Sequence, residues 1–140
     1  MTEADEHHLR RAIALAAAAR ANGDMPYGSL LVGPTGAVLI EERNTVVTEQ
    51  DITAHPELKL ARWAASELDA SIAAASTMYT SCQPCGMCTG AIDRSGIGRV
   101  VFALSNEQLA NIRRSGGFAS APQEGPYLFQ EARVPVDGYY

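Results

Sequence analysis

No stretch of this chain approaches the roughly 20 consecutive apolar residues that a bilayer-crossing helix needs, so no membrane-spanning helix is expected. The first residues, Met1-Thr2-Glu3-Ala4-Asp5-Glu6, are acidic where a secretory signal is basic, and no export signal is expected. Cysteine is scarce. Cys82, Cys85 and Cys88 are the only three, too few for an iron–sulfur cluster held by four thiolates. In a chain of this kind they point to metal binding or reactive thiols rather than disulfides, and to the cytoplasm. Clustered positive charge is also missing. The net charge is −5, the only adjacent basic pairs are Arg10-Arg11 and Arg113-Arg114, and after Ser105 three arginines are outnumbered by four acids. Phosphate contacts need grouped Lys and Arg, so no large nucleic-acid surface is expected. There are no repeats and no linkers, and the only low-complexity tracts are Ala-rich helices. Residues 1–140 therefore read as one domain, long enough for a core, with the 46% hydrophobic and 19% charged composition of an ordinary globular protein.

Leu9, Ile13, Ala16 and Ala17 recur at helical spacing in an Ala-rich stretch from Ala4 to Ala21 that stops at Asn22-Gly23. Ser29–Val32 and Ala37–Ile40 are short apolar runs split by Gly33-Pro34-Thr35-Gly36, which predicts a β-hairpin. A second helix is predicted from Thr53–His55 to Leu68, with Pro56 in its first turn, where a missing N–H costs nothing. Then follow a strand at Thr77–Thr80, a helix at Gly86–Arg94, a buried strand at Arg99–Leu104 and a short helix at Asn106–Arg113, broken at Gly116-Gly117. Strands alternating with helices late in the chain favour an α/β fold with right-handed crossovers.

The chemistry is concentrated in Ala54-His55-Pro56-Glu57 and Ser81-Cys82-Gln83-Pro84-Cys85-Gly86-Met87-Cys88. His55, Cys85 and Cys88 supply one imidazole and two thiolates. Three protein ligands leave zinc a fourth position for water, the mark of a catalytic site rather than a closed structural one. Water on such an ion loses a proton near pH ~7 rather than ~15.7 and becomes a nucleophile toward an electron-poor ring carbon bearing an amine. Glu57 can take that proton and deliver protons to the ring nitrogen and the departing ammonia. Cys85 and Cys88 fall at a helix start, where backbone N–H groups favour thiolate. His55 and Glu57 fall at another, so two helix N-termini are expected to converge on one ion.

Singly, each residue has an ordinary reading. His55 alone fits a capping or packed histidine, and Glu57 a first-turn acid facing the helix dipole. A lone C-x-x-C fits redox chemistry or structural zinc. In this order, with Pro84 before the first thiol, they form the H-x-E…P-C-x-x-C pattern of zinc deaminases. Cys82 reads as a buried strand-end residue, His7 and His8 as solvated, and Trp63 as core.

The two segments resemble the cytidine deaminase superfamily, in its free-nucleobase and tRNA-adenosine branch. Tyr79-Thr80-Ser81-Cys82-Gln83-Pro84-Cys85-Gly86-Met87-Cys88 is similar to the Y-T-S-C-E-P-C-x-M-C of guanine deaminases. Cys88-Thr89-Gly90-Ala91-Ile92 is similar to fungal cytosine deaminases, and Met25-Pro26-Tyr27-Gly28 to the turn before the family's hairpin. The resemblance spans most of residues 4 to 105. It implies a three-layer α/β/α sandwich around a mixed five-stranded sheet, a homodimer, zinc on His55, Cys85 and Cys88, and Glu57 as proton shuttle. It further implies base contacts from Asn44, from Tyr27 and from the backbones of Ala54 and Ser81. Pro56 replaces the family's usual alanine, and Asp93-Arg94 stands where guanine deaminases carry an aromatic pair, which counts against guanine itself. The tail lacks their acidic-aromatic pattern, although Glu107 offers a second polar contact. Tyr139 and Tyr140 read as surface aromatics, with a pocket lid as the alternative.

The expected activity is zinc-dependent hydrolytic deamination of a small free aminated base such as cytosine, guanine or an amino-triazine, with no nucleic-acid partner. The alternatives are adenosine-to-inosine deamination of tRNA and, from a different class, a non-catalytic zinc-stabilised binding module.

Overall fold

The computed structural model of the chain describes residues 1–114 and 117–140. Its elements are α1 (Glu3–Ala21), β1 (Gly28–Val32), β2 (Val38–Arg43), α2 (Val46–Glu49), α3 (Pro56–Glu67), α4 (Ala70–Ala74), β3 (Thr77–Cys82), α5 (Gly86–Ser95), β4 (Arg99–Leu104), α6 (Asn106–Arg113) and α7 (Phe129–Ala132). The predicted order of helices and strands is present, and the short α2, α4 and α7 are additional. The expected break at Gly116 lies outside the described residues.

The strands align as β2-β1-β3-β4, with β1 antiparallel to both neighbours and β3 parallel to β4. α5 makes the crossover that the parallel pair requires. Side chains of the central strands alternate between two cores, as the period of a strand demands. Leu30, Val32 and Tyr79 pack against Leu9 and Ala12 of α1. Leu31 and Met78 pack on the opposite face against Leu60, Ala61 and Ala64 of α3 and Ile92 of α5, with Trp63 partly buried at the edge. Helices therefore cover both faces.

The sheet has four strands rather than the expected five. No strand follows α6 among the described residues, because 117–128 carries Pro122, Pro126, Gly117 and Gly125 in place of an alternating apolar run. β4 is left as an edge with Phe102 exposed and none of its residues fully buried, which corrects the buried strand expected at Arg99–Leu104.

Two further expectations are corrected. The buried face of α1 is Leu9, Ala12, Ala16 and Ala19 with Asp5, while Ile13 and Ala17 point to solvent. Gly28 explains the choice: a side chain there would lie 2.5 Å from the Ala16 nitrogen and 2.6 Å from the Ala12 oxygen, so β1 meets α1 backbone to backbone. His8 is half-buried, its ring 4.9 Å from that of Tyr79, and only His7 is exposed. Nearby, buried Asp5 accepts a fork from Arg99 at 2.9 and 3.0 Å and the Tyr79 hydroxyl at 2.7 Å, fixing the start of α1 to the sheet.

Candidate metal centre

His55 is the extended residue that caps α3, with Pro56 opening the helix behind it. Cys85 caps α5, and Cys88 lies in its first turn. Because α3 and α5 pack side by side on one face of the sheet, their N-terminal ends meet. The ligand atoms of His55, Cys85 and Cys88 all lie within 4.8 Å of one another. His55 Nδ1 is 3.7 Å from Cys85 Sγ and 3.4 Å from Cys88 Sγ. Tetrahedral zinc with bonds of about 2.3 Å to sulfur and 2.0–2.1 Å to nitrogen sets such N···S pairs about 3.5 Å apart. The donor set therefore fits zinc in both chemistry and spacing.

Glu57 follows in the first turn of α3 and is buried. Its Oε1 lies 2.9 Å from Thr80 Oγ1 and 3.2 Å from Ser29 Oγ, and the two hydroxyl oxygens are 2.8 Å apart. Burial pushes the Cys88 thiol far above its ordinary range, and Glu57 and Cys85 beside it push the same way, against the thiolate expected from the helix start alone. Metal binding to such a thiol is coupled to loss of its proton. Burial also raises Cys82, which ends β3 as a buried residue, in agreement with the sequence reading.

Residues 2–104 match the family described as the cytidine and deoxycytidylate deaminase zinc-binding region. The chain belongs to this family. A probable cytosine deaminase of Schizosaccharomyces pombe is 35% identical over 159 aligned residues, covering 100% of this chain and 94% of the relative. A guanine deaminase of Bacillus subtilis is 41% identical over 133 residues, covering 94% and 79%. The crystal structure of guanine deaminase from Bacillus subtilis superposes with a TM-score of 0.77 over 97% of this chain and 92% of the other; pairing residues in space gives 29% identity. A tRNA-specific adenosine deaminase of Haemophilus influenzae is 37% identical over 105 residues, covering 75% of this chain and 61% of the relative. The protein is thus a zinc-dependent deaminase, a hydrolase of carbon–nitrogen bonds, as the resemblance implied.

Of the residues expected to contact a substrate of this deaminase, Asn44 follows β2 and is fully buried. Its Oδ1 accepts the Val46 N–H at 2.9 Å. Its Nδ2 is the one sealed side-chain polar atom without a partner among the described residues. An amide left unpaired in this way costs free energy unless a ligand completes it. Tyr27 is half-buried; its hydroxyl is raised by burial and also feels Cys82, Arg113 and Glu57. Ala54 is buried, but its N–H already donates to the Asp51 carbonyl at 3.0 Å and its carbonyl accepts the Thr45 N–H at 3.1 Å. What remains there for a ligand is the carbonyl's second lone pair. Ser81 Oγ is taken by the Gly28 N–H at 3.1 Å.

Glu107 shares no hydrogen bond with these residues. It is exposed in the first turn of α6 and makes no side-chain hydrogen bond among the described residues. α6 itself starts beside the metal-binding loop, because the Asn106 N–H donates to Gln83 Oε1 at 3.0 Å. A cleft of about 260 Å³ opens beside Ala54, lined by Asp51, Thr53, Lys59 and Arg62 among others; none of the three metal donors lines it.

Sequence reasoning missed Ser29 and Thr80 as neighbours of Glu57. Both lie in strands that are largely buried, Gly28–Val32 and Thr77–Cys82, but the second also holds Thr77 and Ser81, and nothing in the sequence singles out Thr80 or pairs it with Ser29.

Proposed function

We propose that this deaminase acts on a small free nucleobase or analogue, of the cytosine, guanine or amino-triazine type, replacing the exocyclic amine by a carbonyl oxygen from water and releasing ammonia. The observation that carries the reading is the meeting of the His55, Cys85 and Cys88 donors with buried Glu57. The relatives named for cytosine and guanine deamination align with nearly all of this chain, and an acidic balance of −5 suits a small substrate better than tRNA.

His55, Cys85 and Cys88 are the residues to hold zinc, with Cys88 buried and the other two half-buried. Bound there, zinc supplies Lewis acidity that makes water nucleophilic near neutral pH. Glu57 removes the proton from the attacking water, passes one to the ring nitrogen and delivers another to the departing amine. The unpaired Nδ2 of Asn44 donates to an acceptor on the ring, which orients the base. Tyr27 lines the pocket, and the remaining lone pair of Ala54 together with the Ser81 backbone meets the amine edge. Glu107, exposed in the first turn of α6, offers a second polar contact.

The same proposal covers three broader features. Residues 1–140 form one deaminase domain. The protein works in the cytoplasm, supported by three free cysteines; none of the described helices is long and apolar enough to cross a membrane. It is a homodimer, supported by the open β4 edge with exposed Phe102 and by exposed Tyr127, Leu128 and Phe129.

Adenosine deamination in tRNA is the second reading, favoured by the Haemophilus influenzae relative. Ammonia release from cytosine, guanine, isocytosine and amino-triazines, set against tRNA at low and high salt, separates the two. Turnover of one free base supports the proposal. Turnover of tRNA alone, with steep salt dependence, overturns it.

A further inference from the structure

Ser29 and Thr80 face each other as partners in the antiparallel β1–β3 ladder, and both are 0% exposed. Buried hydroxyls without partners are costly, and strands covered on both faces run apolar. These two hydroxyls instead meet on one carboxylate oxygen, Glu57 Oε1. Each hydroxyl has a single proton, so three contacts share two protons. The assignment that uses the shortest pair has Ser29 donating to Thr80 Oγ1 at 2.8 Å and Thr80 donating to Glu57 Oε1 at 2.9 Å. The chain of donors is thus Ser29 to Thr80 to Glu57, and each bond polarises the next.

We propose that Thr80, backed by Ser29, is a positioning residue that fixes the Glu57 carboxylate for proton transfer. This rests on Glu57 being the proton carrier of the deaminase. The relay occupies Oε1, and Oε2 takes no part in it, so one oxygen is anchored while the other remains for the reaction. Strand register sets the anchor: a slip of one residue in either strand would turn its hydroxyl to the α1 face and break the Ser29–Thr80 pair. The β-branched Thr80 has a stiff χ1, which makes its hydroxyl a better fixed point than a serine hydroxyl. Neither residue is among the metal donors, and both act on the reaction only through Glu57.

The test uses the full chain loaded with zinc and the free base that the wild type turns over. The variants are Thr80→Val, Thr80→Ser, Ser29→Ala, the double change and Glu57→Gln. Thr80→Val keeps the shape and removes the donor. Its kcat should fall about 10- to 100-fold, as expected for a misplaced reacting group. KM and zinc per chain should stay near wild type, and its crystal structure should show Oε1 displaced. Thr80→Ser should recover most of the lost kcat. Ser29→Ala should lose less than Thr80→Val, and the double variant no more than Thr80→Val, because Ser29 acts through Thr80.

Wild-type kcat in Thr80→Val would overturn the proposal. So would equal losses in Thr80→Ser and Thr80→Val, which would assign the effect to packing, or a loss in step with lost zinc. Should Thr80→Val fail to fold, Thr80→Ser and Ser29→Ala carry the test: near-full kcat in the first and a partial loss in the second support the relay, and full kcat in Ser29→Ala overturns it. Glu57→Gln separates the two levels. If it stays active, the role of Glu57 fails; if it is inactive while Thr80→Val is fully active, only the relay fails.

Discussion

His55 Nδ1 lies 3.4 Å from Cys88 Sγ, although the two residues are 33 positions apart and belong to different helices. Only the packing of α3 against α5 brings them together, so metal binding and helix packing are coupled. Metal analysis of purified protein should find one zinc per chain, falling well below that in Cys88→Ser. Zinc removal by a chelator should lower the melting temperature of the wild type and leave that of Cys88→Ser nearly unchanged. Equal zinc content in the variant would contradict the assignment.

The Asp5–Arg99 fork carries an expectation about acid. Arg99 first, then the Thr2 N–H and Tyr79, hold the Asp5 carboxyl well below its ordinary value of 3.8. As pH falls toward that value the unfolded chain takes up a proton that the folded chain refuses, so the contribution is complete at neutral pH and is lost on acidification below about pH 4. Thermal melts from pH 7 to 3 should show Asp5→Asn less stable than wild type at pH 7, with the difference shrinking toward pH 3. A constant difference would place the effect in packing instead of ionisation.

Asn44 offers a third check. Its unpaired Nδ2 is available for a substrate acceptor, and a site that loses such a donor discriminates and binds less well. Asn44→Ala should lower kcat/KM by roughly 10-fold or more, the scale of one buried hydrogen bond. Zinc content should not change. Unaltered kinetics would remove Asn44 from the substrate site.

Close approach at Gly28 gives a stability expectation. A methyl group there would sit 2.5 Å from the Leu15 Cβ and the Ala16 nitrogen, both in or on α1. Gly28→Ala should cost about 1–3 kcal/mol, the usual range for overpacking, measured by denaturant unfolding. A neutral effect would mean that α1 can shift off the sheet.

These cases also mark what the sequence made legible. The ligand set could be read because zinc accepts few donor types and His55, Cys85 and Cys88 stand in the right order before and after a strand. β1 could be read as an apolar run because both of its faces are buried, and β3 as a short strand of β-prone residues between two helices. The orientation of α1 could not, because alanines surround the helix and periodicity alone does not choose between a face with Ile13 and one with Ala12. Gly28, in another element, decides it. The short α2 and α4 have too few turns to show a period. The fifth strand was an expectation of resemblance with no alternating run behind it. Ser29 and Thr80 were missed because a hydroxyl in a strand carries no signal until its partner across the ladder is known.

Glu57, beside the His55, Cys85 and Cys88 donors, is assigned the proton transfers in the deamination of a free base. Ammonia release by zinc-loaded wild type and Glu57→Gln, at equal zinc content, tests it most directly. Turnover by the wild type and a loss of at least about 10²-fold in the variant are expected, the lower end for a general acid–base group. Comparable ammonia release from both proteins, or none from any free base by the wild type, would contradict it.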